Sequence, residues 1–128
     1  MGDSMTKTRK TGACHCGAVI ISIPSDIDLK KAGRCDCSLC RRRWAPTASV
    51  PRDDLRVEKG QEALTLYQFN THTAEHYFCK ICGTYVYHRR RSDPSEYGFN
   101  VGCFDGVDMR DYRDAPIFDG VNHPSDQH

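Results

Sequence analysis

Residues 35–44 read CDCSLCRRRW, three cysteines within six residues followed at once by three arginines. Thiolates are soft ligands suited to zinc and similar ions. Cys35, Cys37 and Cys40 thus form a compact ligand set, one short of the four that close a structural zinc site. Three protein ligands plus one exchangeable position are the pattern of a working metal site. Two readings of the fourth position stand side by side. Either an incoming group takes it, or Cys103 or a histidine closes it as a second structural site. Arg41, Arg42 and Arg43 would offset the negative charge of three thiolates and hold the carboxylates of an anion.

Four more cysteines fall into two pairs. FCKICG (residues 78–83) has the form of a zinc knuckle, a tight turn that brings Cys79 and Cys82 to one ion, with Gly83 free to take the backbone angles of the turn. A redox Cys-x-x-Cys would need a strand followed by a helix, and that context is absent from the sequence. In CHCG (residues 14–17), Cys14 and Cys16 are two apart on an extended chain and lean to one face, while His15 points off it. Each pair lacks two ligands, so joining them makes a closed four-cysteine site whose binding energy is folding energy. Cys103 stands alone in a strand-like run and reads as a small buried apolar residue. Such close spacing, with no secretion signal, favours metal over disulfides.

These ligands need short, stiff elements to hold them. Residues 18–23 (AVIISI), 47–50 (TASV) and 63–70 (ALTLYQFN) read as strands, as do 74–78, 84–88 and 96–104. FCKICG then becomes the turn of a hairpin. No amphipathic helix of ordinary length is apparent, and the expected class is all-β, built from short antiparallel strands pinned by metal. Residues 1–10 are polar and expected to be a disordered leader. One domain is expected over 11–123, with 124–128 as a tail. HRRR (residues 88–91) reads as a solvated charged face, and DGVNHP (residues 119–124) either places His123 near the site or is a surface turn.

With 128 residues and mean hydropathy −0.64, the chain can bury one thin core, for which cross-links would help. Its 18 basic and 17 acidic residues leave a net charge of +1, which argues against a nucleic-acid binder. No apolar run is long enough to span a membrane. The expected location is the cytoplasm.

Taken in order, Cys-His-Cys-Gly, Cys-Asp-Cys-Ser-x-Cys-Arg and Phe-Cys-x-x-Cys-Gly resemble the glutathione-dependent formaldehyde-activating enzymes and their relatives, which include centromere protein V. The resemblance runs from Gly12 to Asn122. It implies a β-tent fold, a structural zinc at Cys14, Cys16, Cys79 and Cys82, and a second, catalytic-type zinc at Cys35, Cys37 and Cys40. The implied activity is carbon–sulfur chemistry, joining glutathione to formaldehyde or reversing that step. The resemblance also implies a small residue where Trp44 stands, so the indole is expected to reshape the substrate pocket. His88 and His123 are weak candidates for a general base. A non-catalytic interaction module and a thiol or metal sensor are the competing functions.

Overall fold

A computed structural model describes residues 8–69, 71–90 and 95–121. Strand β1 (Arg9–Ala13) pairs antiparallel with β2 (Ile20–Pro24), and the turn between them carries Cys14 and Cys16. The two-residue strand β3 (Arg34–Cys35) leads into the helix α1 (Ser38–Arg43). Then follow β4 (Thr47–Pro51), β5 (Arg56–Lys59), β6 (Leu64–Tyr67), β7 (Glu75–Cys79), β8 (Tyr85–Arg89) and β9 (Glu96–Asn100). A last short strand, β10 (Ile117–Phe118), lies parallel to β3.

The strands form three sheets, ordered β1-β2-β5, β4-β9-β8-β7-β6 and β10-β3. The expected mostly β class, with antiparallel pairing dominant, is what the chain adopts. Val19, just before β2, and Ile21 and Ile23 from the first sheet pack with Val50, Val86 and Phe99 from the second, all essentially without solvent contact. One core thus joins the two larger sheets. Burying β-branched side chains on facing sheets suits their restricted rotamers.

Several boundaries differ from the sequence expectation. The leader was expected to run to residue 10, but β1 begins at Arg9. The Arg9 side chain explains why: Nε donates to Ser22 Oγ (2.9 Å), and Nη2 donates to the carbonyls of Ser22 (2.9 Å) and Asp54 (2.5 Å). Residues 1–7 and the expected tail 124–128 lie outside the described residues. The strand expected over 96–104 stops at Asn100, whose side chain accepts from Gly102 N–H (2.9 Å) and caps a 3₁₀ turn at Val101–Cys103. Helix α1 is six residues long, too short to leave a hydrophobic period in the sequence. Among the described residues no helix is long and apolar enough to cross a membrane.

Candidate metal centres and their cavity

The first cluster joins two turns from different sheets. Cys14 and Cys16 leave β1, and Cys79 and Cys82 span the β7–β8 hairpin turn. Each turn closes on a glycine in the left-handed region, Gly17 (φ 82°) and Gly83 (φ 79°), a conformation that costs a glycine little. The four sulfurs all lie within 4.8 Å of one another. Cys16 Sγ is 3.7 Å from Cys14 Sγ and 3.7 Å from Cys79 Sγ. A disulfide needs about 2.0 Å. Corners of a tetrahedron with metal–sulfur bonds of about 2.3 Å are about 3.8 Å apart, so the spacing fits one ion. Backbone N–H groups face two of the sulfurs, Val19 toward Cys14 (3.3 Å) and Ile81 toward Cys79 (3.4 Å). Thr84 Oγ1, 3.3 Å from Cys82 Sγ, is the main cause that brings the Cys82 thiol down to about 5.

The second cluster is local. Cys35 ends β3, Cys37 caps α1 with its sulfur accepting from Cys40 N–H (3.3 Å), and Cys40 sits one turn into the helix. The three sulfurs again lie within 4.8 Å of one another. Crowded thiols hand their protons about: hydrogen bonds from Cys35 and then Cys40 hold Cys37 far below the ordinary thiol range, and Cys40 is pushed far above it. A cation among three such sulfurs removes that conflict, so this set also fits a metal ion. Among the described residues no fourth cysteine, histidine or carboxylate joins it. Cys103, the sequence's rival ligand, is instead turned to the carbonyl of Tyr85 (3.8 Å), and burial pushes its thiol up to about 12.

Cys35, Cys37 and Cys40 open onto a cavity of about 550 Å³. Its wall also carries two histidines, His76 and His88, two cations, Lys31 and Arg90, and the carboxylates Asp26, Asp28 and Asp119. The arginine run is placed differently from the sequence expectation. Arg41 and Arg42 are exposed and off this wall, and Arg42 Nη1 is bonded back to the Ser38 carbonyl (2.7 Å) within α1. Three consecutive residues of a helix point about 100° apart, so they cannot share one face. Only Arg43 turns inward. Its guanidinium lies 3.7 Å from the Tyr85 ring centre, Nη1 is 3.1 Å from His76 Nδ1, and Nη2 donates to Cys40 Sγ (3.4 Å). Arg43 reaches Cys40 from behind and does not line the cavity.

Trp44 does not narrow the cavity either. It is 67% exposed, ends α1 in the left-handed region (φ 61°) and stacks beside Arg34 (5.8 Å). His15 is exposed, but it lies in a turn beside the equally exposed Cys16 and not on the alternating extended chain that the sequence suggested. His88 does face the cavity. Tyr85 Oη is 2.5 Å from its Nδ1, and its ring stacks on His76 with centres 5.3 Å apart. Burial, and then the charges of His76, Arg43 and Arg90, hold it well below the ordinary imidazole range, so it is neutral near pH 7. The HRRR run divides: Arg89 pairs with Glu75 (3.4 Å), and Arg90 enters the cavity, bonded to Ser49 Oγ. Arg91 and His123 lie outside the described residues. Sequence alone does not single out Lys31, His76 or Arg90. The period-two alternation that puts His76, His88 and Arg90 on the cavity side of β7 and just beyond β8 is the signal that carries two of them.

A family model described as glutathione-dependent formaldehyde-activating enzyme matches residues 9–118. The chain belongs to this family. A Podospora anserina protein provisionally named a glutathione-dependent formaldehyde-activating enzyme is 28% identical over 94 residues, covering 68% of this chain and 42% of its own length. A Penicillium rubens protein of the same provisional name is 28% identical over 87 residues, covering 62% and 44%. The chain spans less than half the length of these two curated relatives. The crystal structure of a Rhodobacter sphaeroides protein is similar at 52% identity and TM-score 0.78, over 84% of this chain and 98% of that one. The chain is thus a member of this family with two sulfur clusters that could each hold a metal ion.

Proposed function

We propose that both clusters hold zinc and that the three-cysteine centre serves a carbon–sulfur lyase-type reaction. Its substrates are a thiol, glutathione in the family reading, and formaldehyde or a similar small electrophile. The observation that carries this is an incomplete ligand set opening onto a cavity whose wall has both signs of charge. Glutathione is a zwitterion with two carboxylates and one ammonium. Lys31 and Arg90 suit its carboxylates, and Asp26, Asp28 or Asp119 suits its ammonium. These residues, and not Arg41, Arg42 and Trp44, are the proposed binding groups.

A zinc ion at Cys35, Cys37 and Cys40 supplies a positive centre that favours the ionised form of a nearby thiol. Arg43 balances part of the thiolate charge at Cys40, which keeps the centre open to another anion. The cavity walls hold thiol and carbonyl together and so raise their effective concentration. His88, neutral and oriented by Tyr85, accepts the thiol proton and returns it to the carbonyl oxygen. The carbon–sulfur bond forms, the carbonyl π-bond breaks, the proton moves from sulfur to oxygen, and no oxidant is needed. The reverse reaction uses the same groups in the opposite order. A reducing compartment such as the cytoplasm keeps the thiols free for this role.

The test follows hemithioacetal formation from glutathione and formaldehyde by exchange NMR, with and without the zinc-loaded protein. Acceleration that is lost in Cys37→Ser supports the reading. Equal rates with and without protein, for glutathione and for simple thiols, would sink it.

A further inference from the structure

Asp36 sits between two of the three sulfurs, and its carboxylate is engaged far along the chain. Oδ1 accepts from the backbone N–H of Gly120 (2.7 Å) and of Val121 (3.1 Å). The backbone around it is tied to the same segment. Arg34 N–H donates to the Pro116 carbonyl (2.8 Å), and Asp36 N–H donates to that of Phe118 (3.1 Å). In register, Cys35 faces Phe118. The Phe118 ring comes so close to Gly33 that a β-carbon there would lie 2.6 Å from it. Residues 33–36 and 116–121 therefore interlock, and both contribute to the cavity wall: Gly33, Cys35 and Cys37 from one side, Phe118 and Asp119 from the other.

A parallel pair of two residues is too short to hold itself in place. The two bonds to the Asp36 carboxylate are charge-assisted and tie it directly to that segment. A metal ion fixes Cys35 and Cys37 relative to each other, and so fixes the residue between them. We infer that Asp36 is a positioning residue that couples occupation of the three-cysteine centre to the docking of residues 116–121 against the cavity. Linkage makes the effect reciprocal: a docked wall strengthens metal retention by the factor with which the metal strengthens docking. The inference extends the proposed function by saying what completes its substrate wall, but the coupling itself requires no turnover.

The experiment compares the full chain, loaded with both metals, as wild type, Asp36→Asn and Asp36→Ala. Amide hydrogen exchange is read at Gly120 and Val121, and retention of each metal is read by competition with a chelator. Asp36→Ala should speed exchange at both amides by on the order of tenfold or more. It should weaken retention of one metal by a similar factor and spare the other. Asp36→Asn keeps an oxygen that accepts from both N–H groups but loses the charge, and should fall between wild type and Asp36→Ala. Wild-type exchange in Asp36→Ala, or equal damage in Asp36→Asn, overturns the inference. Should Asp36→Ala not fold, partial chelation of the wild type decides. Removing the more labile metal should expose Gly120 and Val121 while the β1 amides stay protected, and unchanged exchange at Gly120 and Val121 overturns the coupling. A wild type that binds no thiol defeats the proposed function and leaves these exchange results to judge the coupling.

Discussion

Arg43 shows how one side chain in a charged run acquires a specific task. Its guanidinium is clamped by the Tyr85 ring and by His76 while it donates to Cys40 Sγ. Arg43→Gln removes the charge and the stacking but keeps a polar group. It should leave two metals bound and weaken thiol binding by about tenfold, the scale of one charge-assisted bond. Titration of a cobalt-substituted protein with glutathione checks this, and unchanged affinity would assign Arg43 to packing alone. His88 carries a pH signature. Its folded value is depressed, so the unfolded chain binds the proton first, and its contribution to stability is present above the ordinary value of 6.5 and lost as pH falls below it. His88→Gln should flatten the decline in urea stability between about pH 6.5 and 5 relative to wild type. The cysteine grouping was legible in the sequence because ligands two or three residues apart converge whatever the fold. The arginines were not, since the inward member of a run depends on helical phase.

At the scale of elements, the register of β8 against β9 makes room for the histidine. His88 lies opposite Gly98, and a β-carbon at Gly98 would come 2.4 Å from the imidazole. Gly98→Ala should therefore displace the ring and destabilise the fold by about 1–3 kcal/mol, the usual range for overpacking. Chemical denaturation and the His88 ring resonances would report it. Strands with alternating or β-branched runs, such as β2, β4 and β7, could be read in advance. Strands β3 and β10 could not, because two residues carry no period and their pairing spans most of the chain. For the same reason Arg90 was hidden, since it reaches the sulfur set through the pairing of β4, β9 and β8, whereas Lys31 lies only four residues before Cys35, and a lone lysine in a turn carries no signal of its own.

For the whole molecule, the four-cysteine cluster would be a cross-link between sheets once it holds a metal ion. It joins the end of β1 to the β7–β8 hairpin across a thin core. Cys79→Ser should lose one of two metal equivalents and lower the melting temperature by at least about 10 °C, a few kcal/mol for a domain of this size. Cys103→Ser should keep both equivalents, since its sulfur faces a carbonyl and not the clusters' shared centres. Elemental analysis beside thermal scans distinguishes the two. Full metal content in Cys79→Ser would remove the cross-link from the account of stability.

The joint between β3 and β10 also sets an order of assembly. The four sulfurs of the first cluster have all been synthesised once Cys82 is made, and the three of the second by Cys40. The cavity wall is different, because it waits for Phe118 and for the amides of Gly120 and Val121. On a ribosome adding about 5–20 residues per second, both sulfur sets exist seconds before the pocket beside one of them is finished. A nascent chain can therefore gather both sulfur sets early, while the wall beside Cys35, Cys37 and Cys40 is completed only when residues 116–121 have emerged.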